Sequence, residues 1–126
     1  MVVLDTSVLL FWTLHRKKLT SAADRAITTA DRLMVSSISI WEIAIKVHRE
    51  QITLPVSLNN YVENLYHLDR LAIIPVDEKM WLENIALDWE HRDPADRTIV
   101  AVARLLACPL ITSDRIIRAF YKDTIW

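Results

Sequence analysis

Short apolar runs alternate with longer stretches of helical period along the whole chain. "VVL" at 2–4, "RLMVS" at 32–36, "LAIIPV" at 71–76, "PLIT" at 109–112 and the terminal "TIW" predict strands. Between them, 6–16, 20–31, 38–50, 57–70, 77–89, 93–107 and a short piece from 114 carry the spacing of helices. Ser57 is placed to cap its helix. Asp93 followed by Pro94 is a strong start signal, because proline at the first helical position gives up no hydrogen bond. Helices between successive strands imply crossover connections, and crossovers imply parallel strands covered on both faces. The expected fold is therefore α/β, a three-layer α/β/α arrangement around a mostly parallel sheet of four to five strands. No repeat, linker or low-complexity stretch divides the chain, so residues 1–126 read as one domain.

Composition narrows the chemistry. At 52% hydrophobic and 25% charged, the chain has the makeup of a globular protein. A net charge of −1 shows no overall basic footprint for nucleic acid and leaves only a local one. Cys108 is the single cysteine, which rules out an internal disulfide or a cysteine-rich metal site and suits a reducing cytoplasm. Glycine is absent, so no glycine-rich phosphate loop or dinucleotide fingerprint can be built. Any phosphate chemistry must then use metal ions or side chains. The N-terminal stretch lacks a basic leader and is interrupted by Asp5. The apolar run "TIVAVARLLACPLI" is broken by Arg104 and Pro109, so no membrane span is expected. His15, His48, His67 and His91 lack metal-ligand spacing, though His91 stands near the candidate site. Trp12, Trp41, Trp81 and Trp89 suit a core or a dimer face.

Four acids stand out, each with an ordinary explanation beside the chemical one. Asp5 and Asp114 follow strands and could cap the next helix, as could Asp77. Glu42 lies in "SISIWEIAIK", where Ser39-x-x-Glu42 matches a capping box and Glu42 and Lys46 match a favourable helical ion pair. The surrounding helix is apolar on most sides, however, and its narrow polar stripe of Glu42, Lys46 and Arg49 suits the wall of a cleft. Asp96 occupies a helix first turn, where the dipole favours an acid, at the head of an apolar stripe. In a parallel sheet, strand C-termini and helix N-termini share one edge, and ligands bind in the crevice there. Four carboxylates meeting at that edge would repel, and a divalent cation with oxygen ligands, Mg²⁺ or Mn²⁺, resolves the repulsion. Thr6, Ser7, Thr112 and Ser113 add hydroxyls for water or phosphate, or for turns and caps. Lys46, Arg49, Arg92, Arg97 and Arg115 are candidate phosphate contacts, Arg97 with the alternative of pairing with a site acid.

These residues resemble a PIN-domain ribonuclease, specifically a VapC-type toxin of a toxin–antitoxin pair. The resemblance rests on "VVLDTSVLLFW", "VSSISIWEIAIK", "LP" at 54–55, "HRDPADRTIVAVA" and "LITSD", in this order and over nearly the whole chain. It implies a PIN-like domain whose acidic quartet Asp5, Glu42, Asp96 and Asp114 holds Mg²⁺ or Mn²⁺ and hydrolyses RNA, leaving 5′-phosphate and 3′-hydroxyl ends. It further implies an antitoxin partner, a transfer or ribosomal RNA loop as substrate, and a homodimer. Gln51 stands where relatives often have glycine, and Ala95 where they have a bulkier residue. Other α/β phosphoesterases fit less well: Asp5-Thr6-Ser7 lacks the second acid of a dehalogenase-type Asp-x-Asp. A non-catalytic interaction module, its acids merely caps, is the remaining alternative.

Overall fold

The computed structural model describes residues 1–126. Five strands form one sheet: β1 (Val2–Leu4), β2 (Leu33–Ser36), β3 (Leu71–Ile74), β4 (Leu110–Ile111) and β5 (Thr124–Ile125). Their order is β3-β2-β1-β4-β5, and every pair is parallel, with Val3 opposite Met34 on one side and Leu110 on the other. The order departs in both directions from β1, so the topological switch lies between β1 and β4. That is the place where open parallel sheets bind ligands.

Seven α-helices cover the sheet: α1 (Thr6–Leu14), α2 (Ser21–Thr29), α3 (Ser37–His48), α4 (Leu58–Tyr66), α5 (Glu78–Ala86), α6 (Pro94–Leu106) and α7 (Arg115–Phe120). Strand side chains alternate between two cores, as the pleat requires. Val3, Met34 and Leu110 face one layer with Met80, Ile99 and Ile117 of α5, α6 and α7. Val2, Leu4, Leu33 and Val35 face the other, with Val8, Ile27, Ile43 and Leu65 of α1, α2, α3 and α4. Each fully buried Leu or Ile contributes roughly 1.5–3 kcal/mol over its exposed state. The helix α6 is buried through six consecutive residues, Thr98 to Ala103, so it is the central element of its layer.

The three-layer architecture matches the sequence expectation, and several boundaries shift for physical reasons. Ser36, not Ser39, caps α3, its hydroxyl accepting from the Ile38 amide. The Ser39–Glu42 capping box is therefore not formed, and Glu42 falls in the second turn of the helix. α1 stops at Leu14 and a single 3-10 turn follows at Arg16–Lys18. α5 stops at Ala86 rather than 89, and residues 87–93 cross to α6 as a strap without helical structure. β3 ends at Ile74, before Pro75. Both α3 and α6 end in a left-handed residue that is not glycine, Glu50 at φ 57° and Ala107 at φ 50°. After Glu50 the Gln51 amide reaches back to the Lys46 carbonyl at 2.8 Å, and after Ala107 the Cys108 amide reaches the Ala103 carbonyl at 3.2 Å. These are the long hydrogen bonds of a Schellman cap, a position glycine usually fills. No helix is long and apolar enough to cross a membrane.

Candidate active site

Asp5 leaves the C-terminal end of the central strand and is 5% exposed. It is the N-cap residue of α1, but its carboxylate is not spent on the second or third amide of the helix, as a capping side chain would be. Oδ1 accepts from the adjacent Thr6 amide at 2.7 Å, and Oδ2 accepts from the Thr112 hydroxyl at 2.6 Å. Thr112 follows β4, the neighbouring strand, and is itself fully buried. Its oxygen also accepts from the Asp114 amide at 3.1 Å. One hydroxyl thus ties the ends of β1 and β4 across the switch point.

The other acids press on Asp5 electrostatically. Its pKa is pushed up to about 6, first by burial, then by the negative charges of Asp96 and Glu42, against the lowering effect of the Thr112 and Thr6 hydrogen bonds. The pKa of Asp96 is raised too, chiefly by burial and further by Asp93 and Asp114, while its hydrogen bond to His91 acts in the opposite direction. Asp114 caps α7 through Oδ1, which accepts from the Ile116 and Ile117 amides at 2.8 and 3.3 Å. The four acids are therefore within electrostatic reach at one sheet edge. No three of them, however, close into a ready-made metal cage. Charge coupling extends over longer distances than coordination, so the cluster is gathered but open.

Whether a cation suits this cluster is decided by its donors and by what neutralises them. The donors are all oxygen, as hard divalent ions require. No lysine, arginine or histidine pairs with Asp5, Glu42 or Asp114, and the only ion-pair-like contact in the cluster is His91 with Asp96. A buried carboxylate without a cationic partner is costly unless a proton or an ion compensates it. The residues present fit a hard divalent cation.

The hydroxyl and basic candidates separate. Thr112 holds Asp5, whereas Thr6 is buried and donates to Ser39 Oγ at 2.8 Å, locking α1 to α3 instead of meeting phosphate. Ser7, Ser113 and Lys46 are half-buried. Lys46 forms no ion pair with Glu42, so the expected surface pair is absent. Arg97 is half-buried and forms no ion pair with an acid of the site, so the alternative of pairing with one is not realised. Its guanidinium donates to backbone carbonyls of Asn84 at 2.6 Å, Leu87 at 3.1 Å, His91 at 3.0 Å and also Trp89, and Nε donates to Asn84 Oδ1 at 3.3 Å. Asp93 and Asp77 cap α6 and α5, as their local sequence suggests. His91 is nearer the chemistry than its spacing indicated, with Nε2 2.7 Å from Asp96 Oδ2. Of the tryptophans, Trp89 stacks on Phe120 with centroids 4.6 Å apart and Trp12 packs on the edge of a core, while Trp41 and Trp81 lie exposed.

The chain as a whole has relatives among known proteins. The model of the PIN domain matches residues 2–123. Ribonuclease VapC22 of Mycobacterium tuberculosis is 33% identical over 130 residues, covering 99% of this chain and 98% of that protein. Among solved structures, a toxin–antitoxin complex from Klebsiella pneumoniae superposes with a TM-score of 0.71 at 17% identity, over 100% of this chain and 97% of the other. VapC20 of Mycobacterium tuberculosis, described as a sarcin–ricin-loop-cleaving toxin, superposes at 0.64 with 16% identity over 94% of each chain. FitAcB from Neisseria gonorrhoeae superposes at 0.63 with 18% identity, over 93% and 90%.

Proposed function

The chain belongs to the PIN-domain family, and from that membership we propose that it is a VapC-type endoribonuclease, the toxin of a toxin–antitoxin pair, acting at the edge where Asp5 sits. The observation that carries the assignment of the site is the buried Asp5 carboxylate. It has no protein cation to neutralise it and lies within the fields of Asp96 and Glu42.

In this reading Asp5, Glu42 and Asp96 hold a Mg²⁺ or Mn²⁺ ion, with Asp114 completing the set or orienting water. When bound, a divalent cation supplies Lewis acidity toward water and the phosphoryl oxygens. The remaining work falls to the chain. Thr112 and the Thr6 amide fix both oxygens of Asp5, so the carboxylate does not reorganise as charge develops. The α7 cap fixes one oxygen of Asp114 and leaves the other free. Lys46, one helical turn beyond Glu42, and the exposed Arg49, Arg92 and Arg115 are the cations available to the RNA backbone. Ser7 and Ser113 are the remaining hydroxyls for water or phosphate. Single-stranded loops are what proteins read in RNA, so a loop of transfer or ribosomal RNA is the substrate class. A cognate antitoxin, a homodimeric assembly and a cytoplasmic setting complete the reading, and the first is supported by the toxin–antitoxin complex among the structural relatives.

The test uses purified protein freed of any antitoxin. It should cut structured RNA only with Mg²⁺ or Mn²⁺ present, and Asp5→Asn and Asp96→Asn should each abolish cleavage while the circular dichroism spectrum is retained. Protein that cuts no RNA and binds no Mn²⁺ by calorimetry would return the acids to simple helix caps.

A further inference from the structure

We propose that Arg97 and His91 are positioning residues that hold the Asp96 carboxylate in place for the divalent ion; this rests on the metal-dependent reading above. Arg97 and Asp96 are successive residues in the first turn of α6, pointing about 100° apart around the helix. Asp96 lies among the acids, and Arg97 turns to the strap 87–93. A guanidinium has five N–H donors and no acceptor. Here they converge on the carbonyls of Asn84, Leu87, Trp89 and His91. These carbonyls lie at the end of α5 and along the strap; those of Asn84 and Leu87 each also accept one backbone amide, from Leu87 at 3.4 Å and Trp89 at 2.8 Å, while no backbone amide reaches those of Trp89 and His91. The clamp therefore supplies the hydrogen bonds that the Trp89 and His91 carbonyls otherwise lack, and adds a second to those of Asn84 and Leu87.

The clamp delivers one side chain. From the pinned strap His91 reaches Asp96, Nε2 to Oδ2 at 2.7 Å. An ionised carboxylate only accepts, so the ring nitrogen carries the hydrogen and donates. Asp96 is then fixed twice over: its amide donates to Asp93 Oδ1 at 2.9 Å, and its Oδ2 is held by His91. Oδ1 remains for a cation. Groups that hydrogen-bond a metal-ligating side chain typically change metal affinity 10–100-fold when removed.

Mn²⁺ titration by calorimetry on the full chain, read beside the melting temperature of the metal-free protein, tests the proposal without reference to cleavage. His91→Ala is expected to weaken Mn²⁺ binding about 10–100-fold, and His91→Gln, which restores an N–H donor, to recover most of that loss. Arg97→Lys keeps the charge but cannot reach four carbonyls. It should weaken Mn²⁺ in the same direction and speed amide hydrogen exchange across 87–92. His91→Ala binding within about twofold of wild type overturns the proposal. Complete loss of binding in both His91 variants overturns it differently, by making His91 a ligand. A wild-type protein that binds no Mn²⁺ removes the metal reading itself, and the positioning role with it. Binding by wild type and His91→Ala alike removes only the latter.

Discussion

Thr112 and Asp5, 107 residues apart in sequence, share the shortest hydrogen bond of the buried acid cluster, 2.6 Å from hydroxyl to carboxylate. Replacing Thr112 by the near-isosteric Val leaves that carboxylate oxygen and the Asp114 amide unsatisfied. Burying unpaired polar groups costs about 1–3 kcal/mol, which urea unfolding of the metal-free protein should show. Because the hydroxyl bond lowers the Asp5 pKa, its loss moves that pKa further up. Protons then compete more strongly for the carboxylate, and Mn²⁺ binding near neutral pH weakens. Thr112→Ser should retain both stability and binding to within a small margin. Equal behaviour of the Val and Ser variants would rule out the bond as the cause.

Asp5 itself should destabilise the metal-free protein. Folding raises its pKa from 3.8 to about 6. The folded state therefore holds the proton more tightly than the unfolded chain. The penalty is absent below pH 3.8, grows as pH rises through the interval, and is complete above pH 6, where it reaches roughly 3 kcal/mol. Asn at this position keeps an acceptor for the Thr6 amide and can donate to the Thr112 oxygen. In EDTA at pH 7.5, Asp5→Asn should melt several degrees above wild type, with the gap closing toward pH 4. A variant that melts lower than wild type at pH 7.5 defeats this expectation.

Mn²⁺ should reverse that ranking. An ion that binds only the folded state stabilises it in proportion to the logarithm of its concentration over Kd. Wild type should therefore gain melting temperature with each increment of Mn²⁺, while Asp5→Asn stays flat. Parallel gains in the two proteins would locate the ion elsewhere.

The helix ends offer a gain that touches no chemistry. Ala107 sits at φ 50° in the cap of α6, where a Cβ costs roughly 1–2 kcal/mol. Glycine removes that strain but adds unfolded-chain entropy, so Ala107→Gly should raise stability by a net of about 0.5–1 kcal/mol. Chemical denaturation at constant slope is the measure. A loss of stability means that the Ala107 methyl contributes more packing than strain.

Asp5, Asp96 and Asp114 stand out in the sequence because strand and helix ends are marked by abrupt changes in polarity, and a parallel sheet puts those ends on one edge; Glu42, a turn further into α3, stands out only as an acid in an apolar helix. The sequence offers two serines as the cap of α3, for a local reason. Ser36 and Ser39 are both serines ahead of an apolar helix, and only the pairing of β2 with β3 through Ser36 shows which one ends the strand. The engagement of Arg97 has no sign in the sequence, because its partners are backbone carbonyls, which leave no trace in residue identity. The strap itself was hidden because Leu87 and Trp89 continue the apolar spacing of α5, although their side chains pack beneath an irregular segment. For the same reason the sequence indicates His91 near the site but not its contact with Asp96.

The strand order has a consequence for a protein made from its N-terminus onward. Asp5 is made 107 residues ahead of its partner Thr112, and β1 stays unpaired on its β4 side until then. Every shorter nascent chain lacks the hydroxyl that sets Asp5, the cap that sets Asp114, and Asp114 itself. The four acids are therefore gathered at the sheet edge only once residue 114 has been made, and until then the nascent chain carries Asp5 with neither its hydroxyl partner nor the last of its neighbouring acids.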